Sequence, residues 1–433
     1  VWLGPRPAVV LCGLEAVREA LVEQSADFSG RGTIPSVSKI TRGYGLASSN
    51  GERWRQLRGF SVRALELWGN GKTSLEDSVR EEAAHVVEVF RETDGMPFDP
   101  TFGLSCATAN IMNAVVFGRR MDYTDRKLLT LLEMIDENMR VISSPWGQVY
   151  DMLPGLMDLL PGPHNRLFRN ADAIKAFLRG MIAQHKDTCD WENPKDFIDN
   201  FLVKMKEEED NPDSEFNEEN LLLSTFNIFL AGTDTTSSTL RWGLLLLLKY
   251  PQIQERIQRE MEEVVGTTRS PVMADRKRMP YTDAVIHEIQ RYANIIPLNL
   301  PHVTTRDTQF RGFTIPKGML VIPLLASVLH DPSHWESPHT FDPNHFLDER
   351  GQFKKNEAFI PFSTGSRMCI GEKVAQTQLF LFLTALLRNF TLGSRAEPEA
   401  VDIAPLSSGF STLHRPYLLR CSPRQQTGRG SSA

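Results

Sequence analysis

The sequence predicts a mainly α chain with a small β part, folded as one domain. Three observations point there. Runs with three- and four-residue apolar spacing dominate, strand-like runs are few, and no Pro/Gly/Ser-rich stretch is long enough to separate two cores. With 433 residues, length alone would allow two or three domains, so the missing linker is what favours one. The domain is read as residues 1–422. The polar, Gly/Ser-rich end at 423–433 is expected to be a disordered tail. An apolar fraction of 41% suits a sizeable core, and a net charge of −6 without a basic stripe argues against nucleic-acid binding. Five scattered cysteines (Cys12, Cys106, Cys189, Cys369, Cys421) make neither a CxxC pair nor a zinc-like spacing. That argues against a disulfide framework and for a reducing compartment, the cytosol or a membrane's cytosolic face.

The opening "VWLGPRPAVVLCG" reads as a strand already inside a fold. It has no initiator Met, signal peptide or apolar run of about 18 residues, so the natural N-terminus is expected upstream. "SLEDSVREEAAHVVEVFRET" has an acidic first half and helical apolar spacing, hence an amphipathic helix. "MKEEEDNPDSEFNEEN" reads as a solvated surface loop. "ENLLLSTFNIFLAGTDTTSSTLRWGLLLLLKY" is apolar nearly all round with a polar break at its middle, the mark of a helix buried through the core. "PQIQERIQREMEEVVG" has Pro251 near its start and Gly266 near its end, the usual helix asymmetry, and "TDAVIHEIQRYA" is a further helix. "TQFRGFTIPKGMLVIPLL" reads as a hairpin turning at Pro316-Lys317-Gly318.

Chemistry concentrates in "PFSTGSRMCIGEKVAQTQLF". Cys369 lies in a glycine-bearing loop just before a helix N-terminus, where the macrodipole and free N–H groups favour a thiolate; Arg367 adds positive charge nearby. A buried structural thiol, a nucleophile without an assignable His partner, and a soft metal ligand all fit the cysteine alone. Glycines let a backbone approach a flat ligand closely. Phe362, Gly365, Arg367, Cys369 and Gly371 spell Phe-x-x-Gly-x-Arg-x-Cys-x-Gly. This resembles the haem-thiolate loop of the cytochrome P-450 monooxygenases, in which the cysteine is the proximal ligand of haem iron.

Other constellations extend the resemblance. Ala231-Gly232-Thr233-Asp234-Thr235-Thr236 places an acid and alcohols in an apolar helix. The hydroxyls can simply bond back to helix carbonyls, but a buried carboxylate needs a use or a partner. The segment looks like the family's oxygen-activating helix. The match implies that Thr235 steadies dioxygen, Asp234 relays protons and Gly232 leaves room over the haem; Asp in place of the commoner Glu is a minor departure. Glu288-x-x-Arg291 shares one helix face, which alone suits a surface ion pair. By resemblance the pair is structural, with His345 of Phe-x-Pro-x-His-Phe as third member. His345 departs from the commoner Arg and matches the vertebrate microsomal subfamily acting on drugs, steroids and fatty acids. Trp54-x-x-x-Arg58 sits at i, i+4, alone consistent with an amphipathic surface helix. By resemblance Trp54, Arg58, Arg31, His302 and Arg367 reach the haem propionates, which arginine forks suit.

The resemblance runs in order through the whole chain. It implies a single-domain cytochrome P-450 fold with haem b between the acid–alcohol helix and the helix after the cysteine loop. It implies a monooxygenase that splits dioxygen and inserts one atom into a lipophilic xenobiotic, fatty acid or steroid. Pocket positions implied are Ile34, Ser48, Phe229, Ala231, Ile296, Leu298, Leu300, Phe410 and Ser411. Electrons are expected from NADPH through a flavoprotein reductase, with a cytochrome b-type protein as a second candidate donor. Arg55, Lys354, Lys355 and Lys373 are the expected docking patch for an acidic partner. The endoplasmic reticulum membrane, cytosolic face, is the expected location, through an anchor upstream of residue 1. Two other functions remain open: a haem-thiolate isomerase or dehydratase of lipid peroxides, which the intact Asp234-Thr235 pair disfavours, and a non-catalytic haem protein.

Overall fold

The computed structural model describes residues 1–69, 74–266 and 269–424. Among these, eleven helices of eight or more residues carry the architecture. They are α1 (Gly51–Gly69), α2 (Leu75–Arg91), α3 (Thr101–Phe117), α4 (Arg126–Ser143), α5 (Pro145–Met152) and α6 (His164–Thr188). Then follow α7 (Phe197–Glu207), α8 (Glu218–Lys249), α9 (Pro251–Val265), α10 (Pro280–Ala293) and α11 (Glu372–Asn389). The strands are short: β1 (Trp2–Leu3), β2 (Arg6–Leu11), β3 (Gly30–Arg31), β4 (His302–Val303), β5 (Thr308–Phe310), β6 (Phe313–Ile315) and β7 (Leu320–Pro323). β8 (Phe390–Gly393), β9 (Ser407–Ser408), β10 (Thr412–Leu413) and β11 (Arg420–Pro423) close the chain.

Local chemistry explains the helix ends. Ser74 Oγ accepts the Asp77 N–H at 3.1 Å, opening α2 with Glu76 and Asp77 in its first turn. Asn217 caps α8 through the Asn220 N–H, at 3.0 Å. α9 starts on Pro251 and stops at Gly266, whose φ is 76°. The acidic stretch is a loop between α7 and α8, as expected, but it is also tethered: Glu215 pairs with Arg53 of α1 at 2.7 Å.

The main sheet runs β1-β2-β7-β4-β3, with β2 parallel to β7 and the other pairs antiparallel. The expected hairpin is corrected in register. β5 and β6 turn at Arg311-Gly312, both at positive φ (50° and 83°), as a two-residue turn matched to strand twist requires. Pro316-Lys317-Gly318 instead delivers the chain to β7, between β2 and β4. β11 pairs Pro423 with Phe390, so order continues past the expected start of the tail; residues 425–433 lie outside the described residues.

Two cores meet along α8. Its second half, Leu240 to Leu248, packs with Phe90 of α2, Ile286 and Ile289 of α10, and Phe380 and Leu383 of α11. Its first half packs with α1, α3, α4, α6 and α7. At 32 residues α8 spans about 48 Å, enough to cross the domain. The polar break falls where the two cores change over.

Candidate active site

The cysteine loop is held from below. Cys369 N–H donates to the Phe362 carbonyl at 3.0 Å, and Gly371 N–H points at Cys369 Sγ, 3.3 Å away. Gly371 precedes α11, so the thiol does sit at a helix N-terminus. Cys369 keeps accessible surface, yet protein crowds it enough to desolvate it. Burial raises its pKa, and the N–H groups of Gly371 and Glu372 with the charge of Arg58 only partly oppose this. The expectation that the helix N-terminus favours a thiolate, with Arg367 adding charge nearby, is therefore corrected in two respects. Desolvation wins, and the cation acting on the thiol is Arg58. A bound metal ion would offset this burial, because a coordinating thiol is deprotonated outright. Gly365 is also reassigned. It has φ 76°, and a Cβ there would lie 1.8 Å from the Leu21 carbonyl oxygen. Its bareness lets the loop lie on the Glu19–Glu23 turn.

Beside the loop lies a cluster of cations. Antiparallel pairing sets Arg31 of β3 opposite His302 of β4. Arg31 donates to the carbonyls of Ala47 (3.1 Å) and Leu300 (3.0 Å), and Arg58 donates to that of Met368 (2.9 Å). Arg367 donates to Ser29 O, Ser49 O and Asn50 Oδ1, and lies 3.9 Å from the Trp54 ring centroid. Its Nη1 is buried without a partner. Among the described residues no carboxylate pairs with Arg31, Arg58 or Arg367. Desolvation, then Arg31 and Arg58, bring Arg367 down to about 8; desolvation and Arg58 bring Arg31 to about 10. Burial with Arg31 and Arg367 drops His302 to about 3, so it stays neutral while its Nδ1 donates to Phe28 O at 2.7 Å. Three guanidiniums, one with a buried unused donor, fit a ligand bearing carboxylates. Haem, with two propionates and an iron for Cys369, is such a ligand.

In α8, Ala231 is exposed and Asp234 and Thr235 are half-buried within a mostly buried helix. Thr235 Oγ donates to the Ala231 carbonyl at 2.7 Å, so the back-bonded alternative holds here. Burial raises Asp234 above the usual carboxylate range. Arg241, with Nη2 4.0 Å away, opposes that rise. Gly232 is corrected: a Cβ there would meet Met112 Sδ at 2.2 Å, so the space it frees is filled by α3.

Glu288 and Arg291 are fully buried and joined by two 2.7 Å bonds. Arg291 also donates to the carbonyls of Leu329, Pro338 and Thr340, while Glu288 takes the Asp342 N–H at 2.8 Å and faces His345 Nδ1 at 3.2 Å. Of the pocket positions, Ile34, Ser48, Ile296, Leu300 and Phe410 are half-buried and Leu298 is 41% exposed. Phe229 and Ser411 are corrected to packing positions. Phe229 is sealed against Phe117 (centroids 5.8 Å), and Ser411 is buried with its N–H on Ser143 Oγ at 3.1 Å.

Sequence reasoning missed Arg241 and Asn50. Arg241 was within reach, since residues i and i+7 share a helix face two turns apart. Asn50, which joins Arg31 N–H to Arg367 Nη2, bridges segments far apart in sequence and had no local signal.

A family model described as cytochrome P450 matches residues 1–421. Cytochrome P450 2G1 of Oryctolagus cuniculus is 50% identical over 419 residues, covering 97% of this chain and 85% of that protein. Cytochrome P450 2F2 of Mus musculus is 49% identical with the same coverage, and cytochrome P450 2F1 of Homo sapiens is 49% identical over 424 residues, 98% of this chain and 86% of that one. With half of its residues shared across almost its whole length, the chain belongs to the cytochrome P450 family of haem-thiolate monooxygenases.

Proposed function

We propose that this P450 inserts one atom of dioxygen into a lipophilic small molecule, a xenobiotic, fatty acid or steroid, using electrons from NADPH through a flavoprotein reductase. The observation that carries the reading is the unpaired Arg31–Arg58–Arg367 cluster beside Cys369, a seat for a dicarboxylate ligand with iron over the thiol. When bound, the haem supplies dioxygen activation, favoured by thiolate donation. Cys369 would be its ligand, and Trp54, Arg58, Arg31 and Arg367 would hold its carboxylate edge; His302, whose Nδ1 proton goes to Phe28 O, would join them only with a second proton on Nε2. Burial raises the affinity of Asp234 for a proton, which suits it to take one up and pass it on, and Arg241 limits how tightly it holds it. The Thr235 hydroxyl, now donating to Ala231 O, can rotate to present that proton at the exposed face of α8. Ile34, Ile296, Leu298, Leu300 and Phe410 offer apolar surface that excludes water from a lipophilic substrate.

Exposed Lys354, Lys355 and Lys373 support reductase docking; Arg55 is already paired with Glu52 at 3.1 Å and contributes less. Among the described residues no helix is long and apolar enough to cross a membrane. An apolar face supports peripheral contact with the endoplasmic reticulum's cytosolic surface. Trp2, Trp146, Leu156 and Leu159 are 73, 46, 54 and 81% exposed, and the Gly4 turn abuts Met152.

The test is ¹⁸O₂ incorporation with NADPH and reductase, alongside a reduced carbon-monoxide spectrum, for wild type and Cys369→Ser. A thiolate-type Soret band and labelled product, both lost in the variant, are expected. Turnover of a hydroperoxide with none from NADPH would replace the reading by an isomerase. In the same assay, charge reversal at Lys354, Lys355 and Lys373 raises the apparent reductase KM, and Leu156→Ser with Leu159→Ser lowers vesicle co-sedimentation.

A further inference from the structure

The end of α6 and the start of α7 bring together His185, Asp196 and Asp199, far in sequence from the cysteine loop. Their potential ligand atoms all lie within 4.8 Å of one another. His185 Nδ1 is 2.8 Å from the Met181 carbonyl, which can only accept, so that nitrogen carries a proton. His185 Nε2 therefore faces inward, 2.9 Å from Asp196 Oδ2. This backbone-anchored tautomer is the one that metal-ligating histidines use. Asp196 Oδ1 takes the Asp199 N–H at 2.9 Å, and Asp199 Oδ2 takes the Lys195 N–H at 3.2 Å. The Cys189 thiol lies beside Asp199.

Charge accounting leaves a deficit. Asp196 and Asp199 are 4 and 5% exposed, and among the described residues neither pairs with a Lys or Arg. On the α3 side the wall is Gly118, where a Cβ would sit 2.8 Å from Asp196 Oδ2. Arg119, next along, turns to Met181 Sδ at 3.2 Å instead. A proton on His185 Nε2 cancels one of two buried negative charges; a divalent cation cancels both. One imidazole nitrogen, two carboxylates and an adjacent thiol suit a borderline-soft ion, not the all-oxygen shells of calcium or magnesium.

We propose that His185, Asp196 and Asp199 bind a zinc-class divalent ion, with Cys189 beside Asp199 as the fourth donor. Binding displaces any proton on His185 Nε2, and that of the Cys189 thiol where it ligates, to solvent. The ion would fasten the α6–α7 connection, residues 189–196, next to the edge-on aromatic cluster of Phe60, Phe197 and Phe201. The cysteine spacing gave no zinc signal because three of the four donors are not cysteines.

The experiment uses the haem-loaded protein, stripped with a chelator and titrated with zinc alone by competition with a chromophoric chelator. Wild type should bind stoichiometric zinc, with N/O ligands at about 2.0–2.2 Å in zinc-edge absorption spectra and a sulfur at about 2.3 Å lost in Cys189→Ser. His185→Gln and Asp199→Asn, which keep size and polarity, should each weaken zinc by about tenfold or more while the haem Soret band stays unchanged. Equal zinc affinity in wild type and both variants, or no stoichiometric binding by folded wild type, overturns the site. Either result would mean that a protonated His185 alone serves the two aspartates.

Discussion

Asp234 shows how one side chain takes its properties from its surroundings. Its carboxylate is buried in α8, and Arg241 at 4.0 Å with an unpaired Nε is too distant for a full ion pair. Its folded pKa is raised, so ionisation works against the fold. That penalty is absent below the unfolded value of about 3.9, where Asp is protonated in both states, and grows as pH rises through it. Asp234→Asn should therefore melt higher than wild type near neutral pH and no differently below about pH 4. With NADPH and reductase, the same variant should lose about 10²-fold in product formation, as removal of a proton-handling group does. A variant less stable than wild type at neutral pH would refute the account.

At the scale of elements, α8 is positioned by what its glycines and hydroxyls face. Gly232 lets α8 and α3 approach until Met112 fills the gap. Gly232→Ala should cost about 1–3 kcal/mol in denaturant unfolding by overpacking, and Met112→Ala in the same chain should recover most of it. Independent, additive costs would place Gly232 elsewhere. Gly365 is stricter, because its steric neighbour is a main-chain carbonyl and its φ is positive. The Glu288–Arg291 pair ties α10 to the 329–342 segment entirely from within, through three carbonyls that only arginine's fork can reach together.

Over the whole molecule, the arginine cluster makes stability depend on the ligand it serves. Without that ligand Arg367 would hold a desolvated charge with a donor unused, repelled by Arg31 and Arg58. Arg367→Met should then raise the melting temperature of the haem-free protein and lower that of the haem-loaded protein, while haem transfers out faster to a haem scavenger. Parallel shifts in both forms would mean that Arg367 acts in packing alone.

The kind of molecule was readable from the residues in order. Helical periodicity carried the α-rich class, and the order of Trp54, Arg58, Asp234, Thr235, Glu288, Arg291, His345 and Cys369 carried the family, because those residues answer to chemistry that local spacing records. The helix bounded by Pro251 and Gly266 was legible for the same reason. What each residue meets depended on how remote segments pack. The rise in the thiol's pKa turned on crowding by protein, Gly232 and Gly365 on backbones and side chains from remote segments, and the β5–β6 register on where β7 finds its neighbours. Asn50 between two arginines, and His185 between two aspartates, were likewise invisible in sequence. Desolvation and steric contact are properties of distance in space, and spacing along the chain reports that distance only within a helix or a turn.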